Sequence, residues 1–201
     1  GTAMYVPMDE KHSLNGQSPY SAPKIGADQL SLSFVKSFDL PLSIIRPFNT
    51  YGPRQSARAV IPSIMVQLLN NKNIISLGKL SPTRDFNFID DTVDGFIAAL
   101  NATNDIGEIV NIGSSYEISI EDTAYLIADI MEKSIVIESD ETRIRPDSSE
   151  VERLLCENSK AKKLYDWSPQ FSGKDGLRSG LSLTVDWLKN PSNLALYKSY
   201  A

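Results

Sequence analysis

Short apolar runs alternate with amphipathic helical patterns along most of this 201-residue chain, and that alternation most restricts what it can fold into. Leu42 to Arg46, halted by Pro47, reads as a short, fully buried strand. Before it, a start signal at Ser18-Pro19 opens a helix running to Phe38, with Ala27, Leu30, Phe34 and Phe38 as its apolar positions. After it come a helix over 59–71 and a strand at Ile74 to Leu77. A strand at Phe86 to Ile89, a helix from Asp91 to Ala102 and a strand at Glu108 to Ile112 follow. The pattern then gives a helix after Ser119 with Ile120, Ala124, Ile127 and Met131 on one face, and a strand at Ile135 to Ile137. Two helices, over 158–165 and 174–189, close the chain on either side of Trp167-Ser168-Pro169. Strands alternating with helices predict an α/β architecture with parallel pairing.

Charge and composition narrow the function. A net charge of −5 argues against a nucleic-acid surface, which needs clustered Lys and Arg to replace phosphate counterions. A few converging arginines can still hold a small anion. One cysteine, Cys156, forms no internal disulfide and fits a reducing, cytoplasmic setting. With one histidine besides, no zinc-type ligand cluster is available, and His12 in its polar loop is expected at the surface. No apolar run is long enough to span a bilayer.

Three segments could carry chemistry. In Tyr20-Ser21-Ala22-Pro23-Lys24 the phenol and the ammonium stand four residues apart at a helix head, so both can point into one site. A nearby ammonium favours the phenolate needed for proton abstraction; on spacing alone, a surface helix with a half-buried tyrosine fits as well. Pro23 has no N–H and must sit within the first turn. The second segment, Arg46 to Arg54, follows a strand, and ligands of open α/β sheets lie beyond the carboxyl ends of strands. The third, Thr83 to Asp91, places Arg84 at the mouth of a strand, where a guanidinium can grip a diphosphate bidentately. Asp90 and Asp91 read as caps of the following helix.

Taken in this order, these segments resemble the extended short-chain dehydrogenase/reductase family, the NAD-dependent epimerases and dehydratases of nucleotide sugars. Glu108 to Gly113 is similar to the family's strand ending in an Asn-x-Gly turn, and Leu164 to Lys189 to its Trp-x-Pro stretch and last helix. Within the family, Arg145 to Val151 and the Gly52-Pro53-Arg54-Gln55 turn are closest to bacterial UDP-N-acetylhexosamine 4,6-dehydratases of the legionaminic-acid type. The resemblance implies the C-terminal part of a doubly wound, Rossmann-like sheet with a small α/β substrate-binding lobe. It divides the chain into 1–52, with the Tyr-x-x-x-Lys helix of the NAD-binding domain, and 53–201, mainly nucleotide-sugar lobe.

The resemblance also implies residue roles. Tyr20 and Lys24 would be the catalytic pair and touch NAD; Pro47 and Phe48 would lie against the nicotinamide. Asn49, Arg58, Arg84 and Arg145 would hold the substrate near its diphosphate, with Val60 near the base. The expected partner is a UDP-sugar, and the full-length protein is expected to be a homodimer. The expected reaction is 4,6-dehydration, with 4-epimerisation and UDP-glucuronate decarboxylation as alternatives. A non-catalytic sugar-nucleotide-binding module is the reading from another class, disfavoured by the presence of both Tyr20 and Lys24. Gly1 is similar to the Gly of a family Val-Tyr-Gly segment. The Gly-rich cofactor loop is therefore expected before Gly1, which would leave this piece inactive alone.

Overall fold

A computed structural model describes residues 3–143 and 150–200. The chain runs α1 (Ser21–Phe38), β1 (Ile44–Pro47), β2 (Asn49–Tyr51), α2 (Val60–Leu69), β3 (Ile74–Leu77), β4 (Thr83–Phe88) and α3 (Ile89–Asn101). It continues through β5 (Ile109–Ile112), β6 (Glu117–Ser119), α4 (Ile120–Ile130), β7 (Val136–Ser139), α5 (Ser159–Tyr165), α6 (Gly173–Lys189) and a short α7 (Pro191–Leu194).

The strands form three small sheets. β1 pairs with β5, β2 with β4, and β3 with β7, all in parallel. β6 then adds to β4 antiparallel, the one departure from the parallel expectation. It follows from a short loop: Phe88 closes β4, α3 and β5 intervene, and the turn at 113–116 returns the chain beside β4.

Two apolar clusters hold these layers. The larger joins β2, β4, α2, α4 and α6 through Tyr51, Phe86, Phe88, Ile64, Met65, Ile127, Leu177 and Leu181, all buried. The smaller sits on the β1–β5 pair, where Val110 and Ile112 meet Ala161 and Trp167. Local signals explain the helix starts. The Ser119 hydroxyl accepts the Asp122 backbone N–H at 2.9 Å and so caps α4. At the start of α1, Ser18 and Ser21 bond reciprocally, each hydroxyl oxygen accepting the other's N–H at 3.1 Å. That pulls the first turn back to Ser18, and Pro23 sits inside it, as its missing N–H requires.

Two expectations fail on burial. β1 is only half-buried rather than fully buried, because β5 is the neighbour it pairs with among the described strands. In α1 the Leu30, Phe34 and Phe38 positions are exposed, Phe38 by 71%, and no residue of the helix is buried. The half-buried positions of α1 are instead Ser21, Ile25, Asp28, Ser31, Leu32 and Val35, a helical stripe rotated from the expected one. No helix among the described residues is long and apolar enough to cross a membrane.

Close approach of α6 to the sheet depends on one glycine. A Cβ on Gly180 would lie 2.2 Å from the Tyr51 hydroxyl and 2.9 Å from a Phe88 ring carbon. Gly180→Ala is therefore expected to destabilise the chain by about 1–3 kcal/mol through overpacking. A urea midpoint equal to that of the unaltered protein would contradict this packing.

Candidate active site

Of the predicted residues, Tyr20 and Lys24 stand at the start of α1, Pro47, Phe48 and Asn49 at the junction of β1 and β2, and Arg84 near the start of β4. Tyr20 directly precedes α1 and is 75% exposed. Lys24 lies one turn on, its Nζ 5.9 Å from the centroid of the Tyr20 ring. The i,i+4 spacing thus brings the ammonium over the face of the phenol, where the ring quadrupole attracts a cation. Pro47 ends β1 in an exposed position, and the Phe48 N–H donates to the Ile112 carbonyl at 2.8 Å. Asn49 opens β2, half-buried and in register with Phe86 of β4.

Arg84, two residues before Phe86, is not a solvated surface arginine: only 14% of its side chain is exposed. Its Nη2 donates to Glu150 Oε1 at 2.9 Å, and its Nη1 donates to the Thr83 and Val151 carbonyls at 2.8 and 2.6 Å. A guanidinium held by three acceptors keeps a fixed plane, which bidentate recognition of an anion requires. Val60 is half-buried at the start of α2 and packs on the larger core. Arg58 is exposed in the turn before α2, and no ion pair holds it among the described residues. Arg145 lies outside the described residues.

The reading of the sequence passed over the group that braces this region. Asp85, fully buried, accepts from four donors: Ser114 N–H and hydroxyl at 2.8 and 2.7 Å, Ser115 N–H at 2.9 Å and Cys156 N–H at 3.0 Å. It joins β4, the turn after β5 and the segment at 150–156, from which Glu150 and Val151 reach Arg84. Burial pushes its carboxyl above the usual range, and the four hydrogen bonds pull the other way. The available signal was an acidic residue directly before the predicted strand at Phe86, where burial demands hydrogen-bonding partners.

The same segment is tied to β4 on its outer side. The Thr83 N–H donates to the Glu152 carbonyl, and Leu154 N–H to the Thr83 carbonyl. Glu117 accepts from the Thr83 hydroxyl at 2.5 Å and pairs with Arg153, whose hydrogen bond holds the Glu117 carboxyl below its ordinary range.

Two further readings change. Asp91 does not cap its own helix; buried, it accepts the backbone N–H groups of Gln170 and Phe171 at 2.8 and 2.9 Å. With the Trp167 indole donating to the Asp91 carbonyl, it anchors the Trp-Ser-Pro loop. His12 is buried, not at the surface: its Nε2 accepts the Met4 N–H at 2.9 Å and its Nδ1 lies 2.9 Å from the Ser13 carbonyl. A fixed loop conformation, rather than composition, put it there. Cys156 is buried, and burial raises its thiol far above the range of a reactive thiolate.

Comparison with known proteins identifies relatives of the chain. A family model described as GDP-mannose 4,6 dehydratase matches residues 1–179. The chain is similar to a dTDP-D-glucose 4,6-dehydratase of Dictyostelium discoideum, 43% identical over 122 residues, covering 61% of this chain and 28% of the relative. It is also similar to a putative UDP-glucose 4-epimerase of Methanocaldococcus jannaschii, 31% identical over 193 residues, covering 94% of this chain and 59% of the relative. Among solved structures, the UDP-glucuronic acid 4-epimerase of Bacillus cereus, in complex with UDP-glucuronic acid and NAD, superposes with a TM-score of 0.81. It is 32% identical, and the match covers 90% of this chain and 56% of that one. The chain thus spans about half the length of the relatives that match most of it.

If Asp85 braces the site, Asp85→Asn, which puts an amide NH₂ against N–H donors, destabilises the fold by about 3 kcal/mol. Chemical unfolding measures it. A loss within about 0.5 kcal/mol, the range of an ordinary surface change, would contradict the assignment.

Proposed function

Because the chain belongs to the GDP-mannose 4,6-dehydratase family, which embraces NAD-dependent nucleotide-sugar dehydratases and epimerases, we propose that it forms the substrate-binding part of a nucleotide-sugar 4,6-dehydratase. The observation that carries the reading is Lys24 held over the ring of Tyr20 at the start of α1. In this reading Tyr20 takes the proton of the sugar 4-hydroxyl, and Lys24 stands beside it and binds ribose hydroxyls. NAD, held by Tyr20, Lys24, Pro47 and Phe48, would supply the reversible hydride acceptor for C4 of the sugar. Pro47 and Phe48 present a rigid, apolar surface suited to a nicotinamide face, and their strand end fits that cofactor.

Asn49 and Arg84 orient the diphosphate, with Arg58 and Arg145 adding positive charge, and Val60 lies beside the base. Arg84 supports this role because its plane is fixed before any ligand arrives. Remote binding energy of this kind positions the reacting carbon against Tyr20. Loss of the C6 hydroxyl as water distinguishes dehydration from the second reading, 4-epimerisation. Similarity to epimerases over most of the chain favours that second reading. Both share the step assigned to Tyr20.

The whole protein, incubated with NAD and UDP-N-acetylglucosamine, is expected to release a product lighter by one water, read by mass spectrometry. Tyr20→Phe is expected to lower turnover by roughly 10²–10⁴-fold. An isobaric C4 epimer would establish the second reading instead. Full turnover by Tyr20→Phe would overturn both.

A further inference from the structure

Tyr20, Lys24 and Asp28 stand at successive spacings of four, so they share one side of the first turns of α1. That places a carboxylate within reach of the ammonium. On an isolated helix, Asp28 would attract Lys24 toward itself and away from the phenol, although Lys before Asp is the weaker order for such a pair.

In the fold Asp28 is already engaged. One of its carboxylate oxygens accepts from Arg46 Nε at 2.8 Å and from Arg46 Nη2 at 2.7 Å. Both side chains are largely withdrawn from solvent, 21% and 22% exposed, which strengthens a charge-assisted pair over one in open water. Lys24 turns the other way, over the Tyr20 ring. Since α1 buries no residue, this ion pair is a strong polar tie between the helix and β1. Arg46 is followed directly by Pro47, Phe48 and Asn49, so the tie also sets the helix against the strand end where those residues lie.

We propose that Arg46 is a positioning residue for the Tyr20–Lys24 pair: by occupying Asp28, it leaves the Lys24 ammonium to the phenol. The inference rests on the reading of Tyr20 and Lys24 as the catalytic pair only for its consequence on turnover; the side-chain arrangement stands without it. Two effects are separable. A plain structural tie requires that removing either partner act alike. Sequestration of Asp28 requires that Arg46→Met be worse than Arg46→Met with Asp28→Asn, because only the single variant leaves a free carboxylate to capture Lys24.

The test is a nuclear Overhauser contact between the Lys24 ε-methylene and the Tyr20 ring in this 201-residue chain, with circular dichroism confirming the fold. The contact is expected in the unaltered chain, lost in Arg46→Met, and present in Asp28→Asn and in the double variant. Arg46→Lys, which can still pair with Asp28, is expected to keep it, and serves if the Met variant does not fold. In the whole protein, turnover is expected to fall at least ~10-fold in Arg46→Met and to recover in the double variant. Equal loss of the contact in all three variants, or its persistence in Arg46→Met, would overturn the proposal. The expected contact pattern with no turnover by any protein, the unaltered one included, would uphold the positioning and overturn the function proposed above.

Discussion

A carboxylate with no exposed surface, Asp85, stands where β4, the turn after β5 and the segment at 150–156 meet, and the candidate site hangs on how it is satisfied. Three backbone N–H groups and one hydroxyl converge on its two oxygens. An apolar residue could fill the volume but would leave three buried N–H groups without acceptors, so the position has little chemical freedom. Its neighbour Arg84 inherits that order. The Val151 carbonyl and Glu150 carboxylate that hold the guanidinium both come from the segment that Asp85 staples through Cys156.

The two halves of the candidate site are built by different physics. The Arg84 side rests on a dense core: Tyr51, Phe86 and Phe88 pack edge to face, and α6 closes over them through Gly180. The Tyr20–Lys24 side stands on a helix with no buried residue, joined to β1 through the Asp28–Arg46 pair. Apolar burial therefore fixes the Arg84 side, whereas a partly exposed ion pair ties the helix of Tyr20 and Lys24 to β1. Partly exposed pairs yield more readily to salt and mutation than packed cores do.

Much of the fold was legible in the residues. The strand at Ile74–Leu77 falls where the apolar run placed it, and α6 begins at Gly173, one residue before the expected start. β2 and β6 were not anticipated, since three residues give no measurable period. In α1 the largest apolar side chains suggested the buried stripe, but Asp28 lies on the stripe that packs and Phe38 does not. Periodicity finds a helix; which side faces inward is set by partners, here Arg46. Within the site, spacing alone was enough to bring Tyr20 and Lys24 together. The bracing by Asp85 and Glu150 was hidden, because their partners lie 29–71 and 66 residues away in sequence.

On the proposed function, this chain carries a sugar-nucleotide half-site organised around Arg84. Calorimetric titration of the 201-residue chain with UDP-N-acetylglucosamine tests it most directly. Saturable binding is expected, weakened about tenfold or more by Arg84→Ala, as loss of a charge-assisted contact would weaken it. Equal binding by the Arg84→Ala chain, with its fold intact, would contradict it.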